Sequence, residues 1–335
     1  MNLRVMVSST GIIFIVVLLL GMGRNGYAAN AAASASPQPD TSKSGAEDTG
    51  RHDKQAVGPH AGEFTEDTTG IQFIAVNGGC FSMGDTFGDG EKDERPVHKT
   101  CISDFAISKY DITVGQFRRF AESAGYRTEA EKEGGCFVFN GTDWTKQAGN
   151  NWRSPSFTQN DRHPVSCVNW NDAQAFVNWM NTLGSRRYRL PREAEWEYAA
   201  RSGGKKERFA GFNDKHQLYK YANFCDSNCD ARWKTTEQND RYNGTSPVGS
   251  YLPNSLGLYD MTGNLWQWVE DWYSESYYGI SPKDNPGGPR SGTDRAVRGG
   301  SWLSEPADVR AADRNNCAPD YSAFDIGFRL VSPVN

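Results

Sequence analysis

From Ile71 onward almost no apolar run continues before a Gly, Asn, Asp or Pro cuts it, and that interruption is what most limits the fold. The chain carries 35 glycines and 15 prolines in 335 residues. Glycine supplies the positive φ values that residues with a Cβ avoid, and proline fixes φ while removing a donor. Such a text predicts brief strands and short helices joined by structured loops, and it disfavours long helical bundles. Ten tryptophans between Trp144 and Trp302 show that the same stretch has a core to bury. The segment Cys136 to Phe157 is polar, but Trp144, Trp152 and Phe157 are costly to leave in water. A loop packed on the surface is expected there.

The rest of the chain reads differently. Arg4 precedes the apolar run GIIFIVVLLLGMG, and GYAAN then offers small residues for cleavage near Ala29, so residues 1–29 read as a secretory signal. Counted from Val5 the run reaches membrane-spanning length, and an uncleaved anchor is the competing reading. Membrane association is expected only in that case. Residues 30–70 are Ala, Ser, Pro, Gly and charge, with little to repay backbone ordering, and read as a flexible linker. Residues 71–335 have no internal hydrophilic break and read as one domain of α+β class with little regular secondary structure.

Three helices announce themselves. Thr113 stands three residues before Gln116, the spacing of a capping box, with Val114, Phe117 and Ala121 on one face and Gly125 as the stop. A second has Asp172 near its start and turns Ala173, Phe176, Val177 and Met180 inward. A third opens on Pro191 and stops before Gly203 and Gly204.

Thirty-six basic against 41 acidic side chains give a formal charge of -5, so no basic excess points to nucleic acid, and none is expected as a partner. Export to the periplasm or beyond makes disulfides permissible, and seven cysteines leave at least one unpaired within the chain. Cys225 and Cys229, in CDSNC, suit a short bridge; no neighbouring His or second cysteine pair completes a zinc-type set for them.

The ordered phrases GGCFSMGD, ERPVHKTCISDFAISKYDITVGQF, GNNWRSPS, HPVSCVNWNDAQAF, YRLPREAEWEYAARSG, SPVGSYLPNSLGLYDMTGNLWQWVEDWY, RAVRGGSW and DIGFRL resemble the formylglycine-generating, sulfatase-modifying-factor family over Ile71 to Val331. The resemblance implies a domain related to the C-type lectin fold, often with bound calcium. It also implies relatives of several kinds: enzymes that oxidise a sulfatase cysteine, paralogues without the cysteines, iron-dependent sulfoxide synthases, and enzymes that mature a siderophore chromophore.

In the formylglycine-generating members two cysteines follow the GGS(Y/W) phrase and hold copper, which a soft thiolate pair suits. Here Ser304 falls where the first should be and Glu305 to Val309 holds no second, so the chain resembles a divergent member without dithiolate copper. Cys317 aligns with a column that is not catalytic. His98 and His163 lie in phrases found throughout the family and read as packing residues, so an iron site lacks ligands. A serine hydrolase built on Ser304 and His163 lacks the strained elbow that would expose the nucleophile.

The resemblance supplies two calcium sets of hard oxygen donors. One takes side-chain oxygens of Asn223 and Asp240 with carbonyls of Phe224 and Tyr242. The other takes Asp260 and Gln267 with carbonyls of Gly263 and Leu265, Gln267 standing where the enzymes have glutamate. The competing reading has Asp260 and Asn264 ordering a turn. Around the altered loop, Trp302, Ser304, Glu305, Arg310, Arg314 and Tyr321 are expected to line a ligand groove; alternatively the two arginines form internal salt bridges against DIGFR. The expected function is that of an exported protein that binds, and oxidatively modifies, a peptide or peptide-derived small molecule. Two alternatives stand beside it: a non-catalytic, calcium-stabilised recognition domain, and a siderophore-chromophore-maturing oxidase. The sequence leaves open whether the chain is an enzyme.

Overall fold

The computed structural model describes residues 62–334. The signal and most of the linker reading therefore lie outside the described residues. Order begins before Ile71: strand β1 (Glu63–Thr65) pairs antiparallel with β2 (Gln72–Val76), and Phe64 stacks on Phe73 at 4.9 Å. Composition had placed residues 62–70 in the linker, but one apolar ring and a sheet edge suffice to fix them.

The chain continues through β3 (Gly79–Met83), β4 (His98–Ile102) and β5 (Phe105–Ser108) to helix α1 (Val114–Ala124) and the single turn α2 (Glu129–Lys132). A hairpin, β6 (Cys136–Phe139) and β7 (Trp144–Gln147), precedes helices α3 (Trp170–Met180), α4 (Glu193–Ala200) and α5 (Leu218–Tyr221). Strands β8 (Trp266–Trp272), β9 (Arg295–Arg298), β10 (Arg314–Cys317), β11 (Ile326–Phe328) and β12 (Val331–Ser332) complete it. Two four-stranded sheets result, ordered β1-β2-β5-β12 and β10-β9-β8-β11, with β11 parallel to β8. The last two strands thus form one edge of each sheet.

Helix α1 forms where its local signals place it. Gln116 N–H donates to Thr113 Oγ1 at 3.2 Å, Thr113 N–H donates to Gln116 Oε1 at 3.0 Å, and Gly125 ends the helix at φ +60. Val114, Phe117, Phe120 and Ala121 are buried, and Phe117 packs edge-on against Trp152 and flat against Phe176 of α3. The inward face of α3 is also as expected. Helix α4 departs from expectation at its start. The Pro191 carbonyl accepts Glu270 N–H from β8 at 2.8 Å, so the residue belongs to the sheet margin and the helix opens two positions later. All eight of its residues are buried, including Glu193, Glu195 and Glu197, so no polar face marks it as a surface helix. The hairpin region bears out the packed-loop reading: Trp152 is wholly buried, and Trp144 and Phe157 are partly so.

Candidate functional site

The end of β9 leads through Gly299 and Gly300 into a tight turn over residues 301–304. Gly300 sits at φ +71, and a Cβ there would meet the Asp308 carbonyl at 2.7 Å, so only glycine lets the following loop fold back this closely. The turn is fastened from beneath. Cys225 N–H donates to the Ser304 carbonyl at 2.9 Å and Trp233 Nε1 donates to the Leu303 carbonyl at 2.8 Å. The first of these comes from the CDSNC loop, which Cys225–Cys229 closes as the sequence suggested.

Within the turn, Ser301 N–H donates to Ser304 Oγ at 3.0 Å, and the two hydroxyl oxygens are 3.5 Å apart. Ser301 Oγ donates to Asp325 Oδ2 at 3.0 Å. Burial pushes the Asp325 carboxyl up to about 7, against the lowering effect of the Ser301 hydroxyl. Ser301 and Asp325 escaped the sequence reading. The available signal was a lone carboxylate inside the apolar phrase SAFDIGF. Trp302 packs edge-on to Phe324 at 4.9 Å and to Phe157 at 5.8 Å, and Trp144 meets Phe324 at 5.5 Å. The buried Trp302 Nε1 has no hydrogen-bond partner among the described residues. The site is therefore a short hydroxyl and carboxylate row set among aromatic rings.

Of the expected groove residues, Trp302 and Ser304 lie in this site, and the Glu305 carbonyl accepts Asp308 N–H in the adjoining loop. Tyr321 stacks on Phe137 of the hairpin at 4.7 Å. The arginines require correction, because neither is offered to a ligand. Arg310 donates through both terminal nitrogens to Glu94 at 2.8 Å, and its Nε donates to the Ala307 carbonyl at 2.7 Å. Arg314 is fully buried and donates to Glu193 from Nε at 2.6 Å and Nη2 at 2.9 Å, and to the Asp93 carbonyl at 2.7 Å. These are internal salt bridges, but they pin the loop to the turn at residues 92–94 and to α4 rather than to DIGFR. Burial alone would raise the Glu193 carboxyl; Arg314 and Arg298 outweigh it and hold it low.

The remaining polar candidates sort by their partners. His163 Nδ1 lies 2.9 Å from Thr245 Oγ1, and His98 Nδ1 lies 3.1 Å from the Pro96 carbonyl with its ring against Tyr278. Both are structural. Cys80 pairs with Cys101 and Cys136 with Cys167, leaving Cys317 as the free thiol. Burial, with Asp325 and Asp294 beside it, pushes that thiol up, so it stays protonated and makes a poor thiolate ligand.

The two calcium sets also separate. In the first, Asn223 Oδ1 is buried without a hydrogen-bond partner among the described residues, and the Asp240 carboxylate accepts backbone N–H groups of Phe224 and Tyr242, both at 2.9 Å. Burial pushes Asp240 up to about 7, with Asp226 adding to the rise. An orphaned amide oxygen and a buried carboxylate without a countercharge fit a hard cation. The second set does not fit. Gln267 Oε1 already accepts Trp196 Nε1 and Arg329 Nε, each at 2.7 Å, and the Asp260 carbonyl accepts Gln267 Nε2 at 2.7 Å. Asp260 Oδ2 accepts Gly249 N–H at 2.9 Å, and Gly263 O accepts Leu265 N–H at 3.1 Å. The Arg329 guanidinium is bonded into this group as well, so the oxygens of Asp260 and Gln267 are committed within the fold.

With fold and site in view, the chain belongs to the family described as the sulfatase-modifying factor enzyme 1-like domain, which matches residues 60–334. It is a divergent member, with Ser304 in place of the first cysteine of the catalytic pair and no second one from Glu305 to Val309. It is 35% identical over 298 residues to a formylglycine-generating enzyme of Streptomyces coelicolor, covering 78% of this chain and 89% of that one. It is 31% identical over 296 residues to a Bos taurus protein named inactive Cα-formylglycine-generating enzyme 2, covering 78% and 88%. Among solved structures it resembles PvdO from Pseudomonas aeruginosa with a TM-score of 0.66 and 29% identity, covering 81% of this chain and 98% of that one.

Proposed function

We propose that this protein is an exported oxidase of the family that acts on a peptide-derived small molecule, the maturing chromophore of a siderophore, without dithiolate copper. The observation that carries the reading is the site itself. Where a thiol-oxidising member needs two thiolates, this chain has the Ser304 hydroxyl, Ser301 and Asp325 beneath Trp302, Phe324 and Phe157. These rings pack edge-on against one another and leave an aromatic wall beside the serine oxygens, which suits a substrate that pairs a ring with hydroxyl or amine substituents. The likeness to PvdO over nearly all of that protein supports this reading. A peptide thiol substrate, and a groove walled by Arg310 and Arg314, are less well supported because both guanidinium groups are spent inside the fold.

Calcium in this proposal is structural. Asn223, Phe224, Asp240 and Tyr242 would hold it, and its charge would neutralise the buried Asp240 and stiffen the loop that fastens Ser304 through Cys225. The relation to the C-type lectin fold remains an implication of the family resemblance, and with it the recognition-domain alternative.

The deciding experiment incubates the mature protein, in air, with a siderophore peptide whose chromophore precursor is in its reduced form. Growth of the longer-wavelength absorbance of the oxidised ring system is expected. Tight binding of the precursor with no oxidation over many enzyme equivalents would instead favour the recognition domain.

A further inference from the structure

We propose that Asp325 is the proton acceptor of this site, drawing a proton inward from a bound substrate through the hydroxyls of Ser304 and Ser301. The substrate is that of the proposed oxidase, and the assignment rests on that reading for the ligand but not for the proton path. Direction along the row follows from which groups are already committed. Ser301 Oγ accepts Leu303 N–H at 3.2 Å, and its own proton has Asp325 Oδ2 at 3.0 Å as acceptor. Ser304 Oγ accepts Ser301 N–H, which leaves its proton to point at Ser301 Oγ, 3.5 Å away, or outward. With the Ser304 proton turned inward, the hydroxyls donate in sequence toward one carboxylate.

Ser304 is 7% exposed and Asp325 5%, while Ser301, between them, is fully buried, so a substrate proton taken up at Ser304 reaches Asp325 through Ser301. The other titratable groups facing Asp325 are Cys317 and Tyr321, with Asp294 acting on Cys317. Burial, reinforced by the charge of Asp325, pushes both the thiol and the phenol up, so they remain neutral. Asp325 is then the group of this cluster whose charge changes near neutrality, where a general base is most useful. In the step itself an O–H or N–H bond of the substrate breaks, and its electron pair stays on the substrate. The proton goes to Ser304 Oγ as that hydroxyl passes its own to Ser301, which protonates Asp325; each serine ends neutral and Asp325 ends as the acid.

The test has two readouts. In mature protein labelled with 13C at the aspartate carboxyls, those of Asp240 and Asp325 should both titrate near pH 7; the signal that vanishes in D325N should be the one that moves upward in S301A, where the lowering donor is gone. Ser301→Thr, which keeps the hydroxyl, should restore the parent value and guards against a misfolded S301A. In the oxidation assay, D325N should lose on the order of 100-fold or more in kcat and the rise of kcat through neutral pH, with little change in KM. An Asp325 carboxyl ionised below pH 5, or an S301A titration identical to the parent, overturns the path. So does D325N turning over with the parent pH profile. If the parent oxidises none of the precursors while Asp325 titrates and responds to S301A as stated, the oxidase reading falls and the Ser301–Asp325 path stands.

Discussion

Arg314→Ala should damage the fold rather than an accessible recognition surface. In the parent, the guanidinium is wholly buried, bonded twice to Glu193 and once to the Asp93 carbonyl, and lies 4.1 Å from the Tyr278 ring centroid. Truncation leaves Glu193 buried with only the longer contact to Arg298 at 3.4 Å. Breaking one partner out of a buried ion pair costs about 3–5 kcal/mol, because the remaining charge is left without compensation. For a domain of this size that corresponds to a fall of roughly 6–20 °C in melting temperature. The pH dependence has a defined sign. Glu193 is held below its ordinary value in the parent, so its pairing contributes stability above the unfolded carboxylate range and loses it as pH falls through the folded value. In R314A the carboxyl can escape the penalty by taking a proton, so the gap between parent and variant should narrow as pH falls toward about 4. Calorimetric melts of both proteins from pH 4 to 8 make the measurement. A variant that melts within about 2 °C of the parent at pH 7.5 yet loses substrate binding would refute the internal-brace reasoning and restore the groove.

Asp240 titrates with the opposite sign. Its folded value is raised to about 7, so stability present below the unfolded carboxylate range is lost as pH rises through neutrality. Chelator-treated protein should therefore melt lower at pH 8 than at pH 5.5; calcium should restore the part due to Asp240, and D240N should lose the calcium response and show a smaller pH response, the remainder coming from Asp325. With copper supplied, neither the parent nor S304C should convert the cysteine of a Cys-x-Pro-x-Arg peptide to formylglycine, since one thiolate cannot replace a pair; aldehyde detected by mass spectrometry would count against this. Native protein treated with iodoacetamide at pH 7 should be alkylated slowly at Cys317 alone, and rapid labelling would show that its thiol is not held protonated.

What was legible in the sequence was what short-range physics decides. The capping box of Thr113 and Gln116, the inward period of α3 and the Cys225–Cys229 bridge each depend on residues within a turn or two of one another. The brevity of every strand followed from glycine and proline in the same local way. Ser304 was equally plain, and the family resemblance marks it as standing where a cysteine is expected. The partners of the loop after it were not, because Arg310 finds Glu94 across 216 residues and Arg314 finds Glu193 across 121. An arginine looks the same in sequence whether it faces a ligand or a glutamate. Only the tertiary fold, by bringing α4 and the turn at residues 92–94 against β10, removed water from these charges and chose their partners. The same exclusion of water turned Asp325, one more carboxylate in the text, into a group that ionises near neutrality behind Ser301.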